Sequence, residues 1–272
     1  MTYADAIEAI TPHVHFTTEG AVAILRLDRP AKLNALTLAM HAGLFEGIRA
    51  FRAANALKVL ILTGTGRAFC AGDDMQESDP RDGVVPPEAE TELAWHNIVR
   101  EMRAVPKPII AAVNGLACGA GGGLMLGADI RIAATEARYA DIFIRRGIAG
   151  GAYLLTRLVG TGKALELIWT GDFIESDECH RLGIFNKVVP GDKLMGEAMA
   201  LARRLADGPT QGIGFSKHAV YQAALLPLNE GLRTEEFAKL VTLRGAEVRE
   251  GIESFNDKRG AAFAPGDGGK AS

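Results

Sequence analysis

The sequence lacks the features that mark membrane, secreted and nucleic-acid-binding proteins. It contains no run of about 18 apolar residues, so we expect no membrane span and no membrane partner. Its formal net charge is −3 at pH 7, so no excess of basic residues favours nucleic acid as a partner. Residues 1–8 carry acidic side chains and lack the basic and then apolar pattern of a secretory signal. These absences predict a cytoplasmic protein.

Cysteine is also scarce. Cys70, Cys118 and Cys179 are odd in number and far apart in the chain, which is typical of a reducing compartment and argues against a disulfide framework. None of the three has a Cys or His partner at the spacing of a zinc site, so we expect no metal.

The chain does contain enough apolar residues for one large domain, since 48% of its 272 residues are hydrophobic. The apolar pattern predicts a β-hairpin around Glu19-Gly20 and a helix that follows Thr37 as its N-cap. After Tyr153 the pattern is mainly helical. The predicted strands are residues 58–63, 108–113, 129–134, 138–144 and 186–189. The sequence therefore predicts an α/β core followed by a helical C-terminal region.

Two glycine-rich loops are the most distinctive features of the chain. One follows the apolar run 58–63 and covers residues 64–75, and the other follows the run 108–113 and leads into an apolar helical segment at Leu124. Glycines let a backbone turn tightly and let another molecule approach it. Unpaired N–H groups in such loops and at a helix N-terminus stabilise negative charge. The two loops could therefore each aim one N–H at a single carbonyl oxygen, unless the glycines only permit close helix packing.

The two loops carry recognisable motifs. Residues 64–75 match Gly-x-Gly-x-Ala-Phe-x-Ala-Gly-x-Asp-hydrophobic, and residues 112–121 match Ala-Val-Asn-Gly-x-Ala-x-Gly-(Gly/Ala)-Gly. With the two motifs in this order, the chain resembles the crotonase superfamily, that is the enoyl-CoA hydratase/isomerase family. The resemblance covers roughly residues 14–263. The resemblance implies a crotonase-like spiral of β-β-α turns, assembled as a homotrimer or as a dimer of trimers. We expect an acyl-CoA-binding core at 1–200, a helical trimerisation region at 201–263 and a disordered tail at 264–272.

The resemblance also implies which residues bind the substrate. The family holds the thioester oxygen of an acyl-CoA with two backbone N–H groups, which here belong to Asp73 and Ala120. No cofactor is implied beyond the coenzyme A of the substrate itself. The residues expected to contact coenzyme A are Lys32, Leu33, Ala71, Phe255 and Lys258.

The chain departs from the family at both catalytic glutamates of a hydratase. Gly123 occupies the first of these positions and Phe143 the second, and neither side chain can transfer a proton. Two replacements are expected to act as catalytic residues. Asp141 precedes Phe143 by two residues, so both would face the same side if residues 138–144 formed a strand. His96 follows Trp95 on the helix after the first loop.

Further acids near the loops are Asp74 and Glu77, of which Asp74 could also be a charge near a helix N-terminus. His41 has no motif around it and is interpreted as structural. The sequence thus predicts an acyl-CoA enzyme that forms an enolate, with isomerisation or hydration by relocated groups ranked first. Hydrolytic cleavage of a carbon–carbon bond is the second predicted reaction. The alternative that is not an enzyme is a non-catalytic CoA-binding paralogue.

Overall fold

The computed structural model describes residues 7–8, 10–76, 95–223 and 225–263. Within these residues there are ten strands. They are β1 (Val14–Glu19), β2 (Val22–Leu27), β3 (Val59–Gly64), β4 (Ala68–Cys70), β5 (Ile109–Val113), β6 (Leu116–Cys118), β7 (Ile130–Ala134), β8 (Arg138–Ala140), β9 (Ile174–Glu175) and β10 (Lys187–Val189). The predicted hairpin and the predicted apolar runs account for seven of them, while the short β4, β6 and β9 were not predicted.

The strands form two sheets. The larger sheet has the order β1-β2-β3-β5-β7-β10, and it is parallel except for the β1–β2 hairpin. The smaller sheet has the order β4-β6-β8-β9, with parallel pairs except for β8–β9. Strand pairs that are consecutive in sequence, such as β3–β4 and β5–β6, send their first strand to the large sheet and their second to the small one. This alternation is the β-β-α spiral that the resemblance implies.

Helices connect and cover the sheets, and they dominate the C-terminal third. They are α1 (Leu38–Ala53), α2 (Trp95–Ala104), α3 (Ala120–Gly127), α4 (Ala152–Val159), α5 (Thr161–Thr170), α6 (Ser176–Arg181), α7 (Leu194–Ala206), α8 (Thr210–Ala223), α9 (Leu228–Thr242) and α10 (Ala246–Asn256). Thr37 is the N-cap of α1, since its hydroxyl accepts the N–H of Met40. Gly171 ends α5 in the left-handed conformation, at φ 62°.

The alternation of side chains along β3 divides the core into two layers. Val59 and Ile61 pack with α7 on one face of the large sheet. Leu60 and Leu62 belong to the other layer, which includes the apolar side of α1. A strand buried on both faces is expected for a parallel sheet. Helix α7 spans the predicted boundary between residues 200 and 201, and the division into two regions stays a prediction.

A buried polar cluster joins α8 to the core. The Nζ of Lys217 lies 2.8 Å from the carboxylate of Asp129, which also accepts the hydroxyl of Tyr221. The guanidinium of Arg103 stacks over the ring of Tyr221 at 3.9 Å. Asp129 additionally accepts the N–H of Ile109, at the start of β5. Asp129 therefore has a structural role, because these contacts join α8 to the start of β5.

One predicted element is wrong. The expected strand 138–144 ends at Ala140, and Phe143–Arg146 form a 3-10 helix. The chain turns at Ile142, whose φ and ψ are −93° and 2°, away from extended backbone. The prediction that Asp141 and Phe143 share a strand face is therefore wrong, because the chain turns between them.

Candidate active site

The two glycine-rich loops meet at the edge between the sheets. A Cβ atom built on Gly72 would lie 3.4 Å from the N of Ala120 and 3.6 Å from the Cα of Gly119. Both glycines have positive φ, 97° and 54°, which favours glycine at these positions. The loops that the sequence placed 47 positions apart, from Gly72 to Gly119, are therefore packed backbone against backbone.

The hydrogen bonds of the first loop fix the direction of its free N–H. The carbonyl of Gly72 accepts the N–H of Leu36 at 2.8 Å. Because the C=O and N–H of a trans peptide point in opposite directions, the N–H of Asp73 points away from Leu36. The N–H of Ala120 is the first of helix α3 and has no partner within the helix. Among the described residues neither N–H donates to another residue.

Two asparagines tie the loops in place, and sequence reasoning did not identify their roles. Asn34 is fully buried and donates its amide to the carbonyls of Ala68 and Phe69. Asn114 in the second motif reaches back to the first loop, where its Oδ1 accepts the N–H of Gly64 at 3.1 Å. Asn114 belongs to the second motif and Asn34 to neither, and the structure shows that both hold the first loop.

Asp73 contributes a side chain as well as a backbone N–H. Its Oδ1 lies 2.9 Å from the Nε2 of His41, on the buried face of α1. An ionised carboxylate only accepts, so Nε2 of His41 carries the proton. The Nδ1 of His41 is buried and has no hydrogen-bond partner among the described residues. This pair could not be predicted from the sequence, since a histidine at helical spacing among apolar residues is typical of a core position.

Aromatic side chains surround Gly123 and Phe143, the two positions that the resemblance predicts to correspond to the family's catalytic glutamates. A Cβ on Gly123 would lie 2.4 Å from a ring carbon of Trp95, so the indole fills the space that a longer residue would need. The ring of Phe143 is stacked with that of Trp95, with centroids 6.2 Å apart and an interplanar angle of 18°. Gly150 lies against the ring of Phe143. The position of the usual carboxylate pair is therefore apolar.

Asp141 lies next to this aromatic pair, just after β8. Ala140, the residue before it, accepts the N–H of Gly119 at 3.3 Å, which brings Asp141 close to the second loop. The side chain is buried, 2% exposed, and its Oδ1 has no partner among the described residues. Burial raises the pKa of Asp141 to about 6, although the N–H of Phe143 acts in the opposite direction.

His96 stacks on the ring of Trp95 with centroids 3.8 Å apart. Burial and the charge of Arg100 lower the pKa of His96, while the negative charge of Asp73 raises it. The net effect favours a neutral imidazole at pH 7, the form that can accept a proton. His96 is thus available as a second ionisable group near the first loop.

Asp74 is a structural residue. Its carboxylate pairs with the guanidinium of Arg29 and accepts the N–H of Gln76. The hydrogen bond from Arg29 is the main reason that the pKa of Asp74 is lowered. A carboxylate held in this way is a poor proton carrier at neutral pH. Glu77 lies outside the described residues.

The residues expected to contact coenzyme A fall into two groups. Leu33 and Ala71 are adjacent, since the carbonyl of Leu33 accepts the N–H of Ala71, and Lys32 contacts Gln76 just beyond the first loop. Phe255, 83% exposed, and Lys258 lie at the end of α10.

Helix α10 sits at the other end of β3 from the glycine-rich loops. It lines a cavity together with Asn55 and Lys58, at the start of β3, whereas the loops leave β3 after Gly64. The structure therefore brings Lys32, Leu33 and Ala71 together, whereas the first half of α10, which precedes Phe255 and Lys258, lies at the opposite end of β3.

In the part of the chain that the structure describes, no group of three or more His, Cys, Asp or Glu side chains could hold a metal ion. No helix in that part is long and apolar enough to cross a membrane. The groups that the described site does offer are two unengaged N–H groups beside an apolar space, one buried carboxylate and one imidazole. Such a set can stabilise an oxyanion and move a proton next to it.

A family model described as enoyl-CoA hydratase/isomerase matches residues 17–266. Among curated proteins, the 1,2-epoxyphenylacetyl-CoA isomerase of Escherichia coli K12 is 36% identical over 262 residues, which cover 94% of this chain and 98% of that protein. The crotonyl-CoA hydratase of Syntrophomonas wolfei is 32% identical, covering 90% of this chain and 95% of that protein.

Solved structures of enoyl-CoA hydratases are also similar to this chain. Subunit I of an enoyl-CoA hydratase from Geobacillus kaustophilus HTA426 superposes with a TM-score of 0.86 at 35% identity, covering 93% of this chain and 98% of that one. An enoyl-CoA hydratase from Bacillus anthracis has a TM-score of 0.86 at 30% identity, covering 94% of this chain and all of its own (100%).

Proposed function

Since the chain belongs to the enoyl-CoA hydratase/isomerase family of acyl-CoA enzymes, we propose that it isomerises the double bond of an enoyl-CoA through an enolate. The N–H groups of Asp73 and Ala120 hold the thioester oxygen, and Asp141 carries the proton. The observation that supports this most directly is the approach of the two loops, with a Cβ on Gly72 only 3.4 Å from the N of Ala120.

The enolate is stabilised by backbone donors that are already in place. Negative charge develops on the thioester oxygen when a proton leaves the neighbouring carbon. Preorganised donors stabilise such charge more than they stabilise the neutral carbonyl, and one of them is typically worth about 3–4 kcal/mol. The free N–H groups of Asp73 and Ala120 are suited to this role because no residue of the described chain engages them.

Isomerisation is favoured over hydration by the number of carboxylates. Syn-hydration in the family uses two glutamates, whereas Gly123 and Phe143 occupy those positions here. Moving a double bond needs only one group, since the same carboxylate can take a proton from one carbon and return it to another. Asp141 fits this requirement, because a pKa of about 6 lets it exist in both protonation states near neutral pH. His96 is the reserve candidate for the base.

The alternative function is that of a CoA-binding paralogue without catalysis. It is favoured by Trp95, because the indole fills the space beside Gly123 that a catalytic side chain would need. We also propose a cytoplasmic location and a homotrimer or dimer of trimers as the assembly. Turnover of any acyl-CoA separates the enzyme from the paralogue.

The test is exchange of α-protons with deuterium oxide, measured by mass spectrometry on acyl-CoAs of short, long and aromatic type, together with conversion of 3-enoyl-CoA to 2-enoyl-CoA. We expect exchange and conversion, and crotonyl-CoA hydration at least about 100-fold slower than in a glutamate-bearing relative. Absence of both binding and exchange for every acyl group would show that the chain is not such an enzyme. Hydration at the rate of an ordinary hydratase would contradict the preference for isomerisation.

The donor itself can be tested at Ala120. This residue is the first of helix α3, where proline is tolerated, so Ala120→Pro removes the N–H while the helix can still form. We expect exchange to fall by roughly 10²–10³-fold in Ala120→Pro. Ala120→Ser, which keeps the N–H, is the matched control and should retain most of the activity. Equal exchange by both variants would exclude Ala120 as a donor.

A further inference from the structure

The pair formed by His41 and Asp73 is not used by the proposed reaction, and it lies directly behind the first oxyanion donor. The Nε2 of His41 is 2.9 Å from the Oδ1 of Asp73, and the side chain of His41 is 8% exposed. The N–H proposed to bind the thioester oxygen belongs to the same residue as that carboxylate. A hydrogen bond that holds the Asp73 carboxylate therefore also restrains the Cα next to the donor N–H.

The backbone around Asp73 has few other restraints among the described residues. Gly72, immediately before it, has a φ of 97° and no side chain to pack. Among the described residues, backbone hydrogen bonds join the peptide links on either side to Leu36, through the Gly72 carbonyl and the Asp74 N–H. The thiol of Cys70 adds a weak contact to the same carbonyl, at 4.0 Å. Both hydrogen bonds to Leu36 lie on one edge of the loop. The hydrogen bond from His41 adds a tie from the helix α1, outside that edge.

A purely structural role explains His41 poorly. It lies on the apolar face of α1, beside the fully buried Met40 and Leu44, where leucine would pack as well. Its Nδ1 is buried without a partner among the described residues, which is unfavourable for a polar atom. A histidine at this position is therefore better explained by its other ring nitrogen, Nε2, which binds Asp73.

We propose that His41 is a positioning residue, which holds the carboxylate of Asp73 and thereby fixes the N–H of Asp73 toward the thioester oxygen. This inference rests on the proposed function. It assigns to His41 no contact with the substrate, so its effect should appear in the chemical step more than in substrate binding.

The test compares His41→Leu, His41→Gln and the wild-type protein in α-proton exchange. Leucine fills the core without a hydrogen bond, so we expect unchanged or higher thermal stability and a maximal exchange rate at least about tenfold lower, with KM within about threefold. Glutamine can still donate to Asp73, so it should recover most of the rate. His15→Ala is the control, since it breaks a similar His–Asp pair, His15–Asp28, 3.0 Å apart, that does not include Asp73.

A second readout does not depend on turnover. The ¹³C chemical shift of the carbonyl in bound [1-¹³C]butyryl-CoA reports how strongly the two N–H groups polarise it. In His41→Leu we expect this shift to move toward the value of free butyryl-CoA, and in His41→Gln to return. A wild-type rate and carbonyl shift in His41→Leu would overturn the proposal, as would a change in KM alone or a failure of glutamine to rescue the folded protein. If the wild-type protein itself exchanges no α-proton, the proposed function fails, while the carbonyl shift still decides the role of His41.

Discussion

Asp141 and Gly151 illustrate how much of this site depends on single residues. Gly151 has a φ of 70°, and a Cβ on it would lie 1.4 Å from the Oδ2 of Asp141. Only glycine therefore allows the chain to close over this carboxylate and exclude water from it. Burial in turn raises the pKa of Asp141 to about 6, which is the property that a proton carrier needs.

Asp141→Asn is expected to lower turnover and raise stability at the same time. The folded-state pKa, about 6, lies above the ordinary value of 3.8, so the contribution of this group to stability is greatest below pH 3.8 and is lost as the pH rises through 6. At pH 8 asparagine avoids that loss of roughly 2–3 kcal/mol, while exchange falls by roughly 10²-fold or more. Urea unfolding and α-proton exchange measure the two effects.

The wild-type exchange rate should also rise with pH through about 6, because only the carboxylate form of Asp141 accepts a proton. Unchanged exchange in Asp141→Asn would make His96 the next candidate. A lower stability of this variant at pH 8 would contradict the idea that the buried carboxylate is unfavourable.

At this scale the two motifs predict Asp73 and Ala120 as the donors, and these roles stay predictions. Asp141 was predicted from a strand over 138–144, which instead ends at Ala140. The partners of these residues could not be predicted. His41 lies 32 positions from Asp73, and Gly151 has no local signal that it covers Asp141. Such contacts depend on how distant segments pack, which the pattern of one segment does not contain.

The element that governs the site is helix α3, whose first turn has three glycines in succession. Each is in contact with a different neighbour: a Cβ would lie 2.3 Å from the Cys70 carbonyl at Gly121, 2.8 Å from the Tyr139 ring at Gly122, and 2.4 Å from the Trp95 ring at Gly123. The glycines therefore permit close packing and expose the helix N-terminus as well. The two interpretations of the glycine-rich loop are compatible.

Restoring the family's first glutamate should fail unless Trp95 is also changed. Gly123→Glu places side-chain atoms within the indole ring, so we expect a destabilisation of about 1–3 kcal/mol or more, typical of an overpacked core, and no hydratase activity. Trp95→Ala with Gly123→Glu makes room for the carboxylate. A double-mutant cycle in urea unfolding should then show a favourable coupling between the two positions. Additive effects would mean that the indole moves aside without difficulty.

The elements themselves were largely predictable. The hairpin, the Thr37 cap and the apolar parallel strands follow from alternation, capping and hydrophobic runs. The strand expected at 138–144 is wrong because β8 is only three residues long and the chain then turns into a 3-10 helix. Apolar residues there pack around the site instead of continuing a sheet, and hydrophobicity alone does not distinguish these cases.

At the scale of the whole molecule, the crotonase-like α/β fold with a helical C-terminal region is confirmed. The C-terminal helices leave many apolar side chains exposed in a single copy of the chain. They include Val220, Leu228, Leu232, Phe237, Leu240, Leu243, Ile252 and Phe255. Apolar surface of this extent is typical of a protein interface. Phe255 is also 83% exposed and lies at the end of a helix whose first half is away from Lys32. We therefore expect Phe255 and Lys258 to reach coenzyme A of a second copy.

Leu240→Glu should therefore disrupt the assembly. In multi-angle light scattering we expect the wild-type mass to be three or six times the 28.9 kDa of one chain. A buried charge without a partner is strongly unfavourable, so the variant should shift toward the mass of one chain and bind acyl-CoA more weakly. Lys193→Glu, an exposed change outside these helices, is the control. A monomeric wild-type protein would contradict the predicted trimer.

The contact between Trp95 and His96 has an optical consequence. The chain contains two tryptophans, and they lie in different surroundings: Trp95 is buried against Gly123 and stacked on His96, whereas Trp169 is 67% exposed. Fluorescence emission from the buried indole should be at shorter wavelength, and a protonated imidazole at stacking distance should quench it. With Trp169 replaced by phenylalanine, the remaining emission would report both ligand entry and the charge of His96 without any added label.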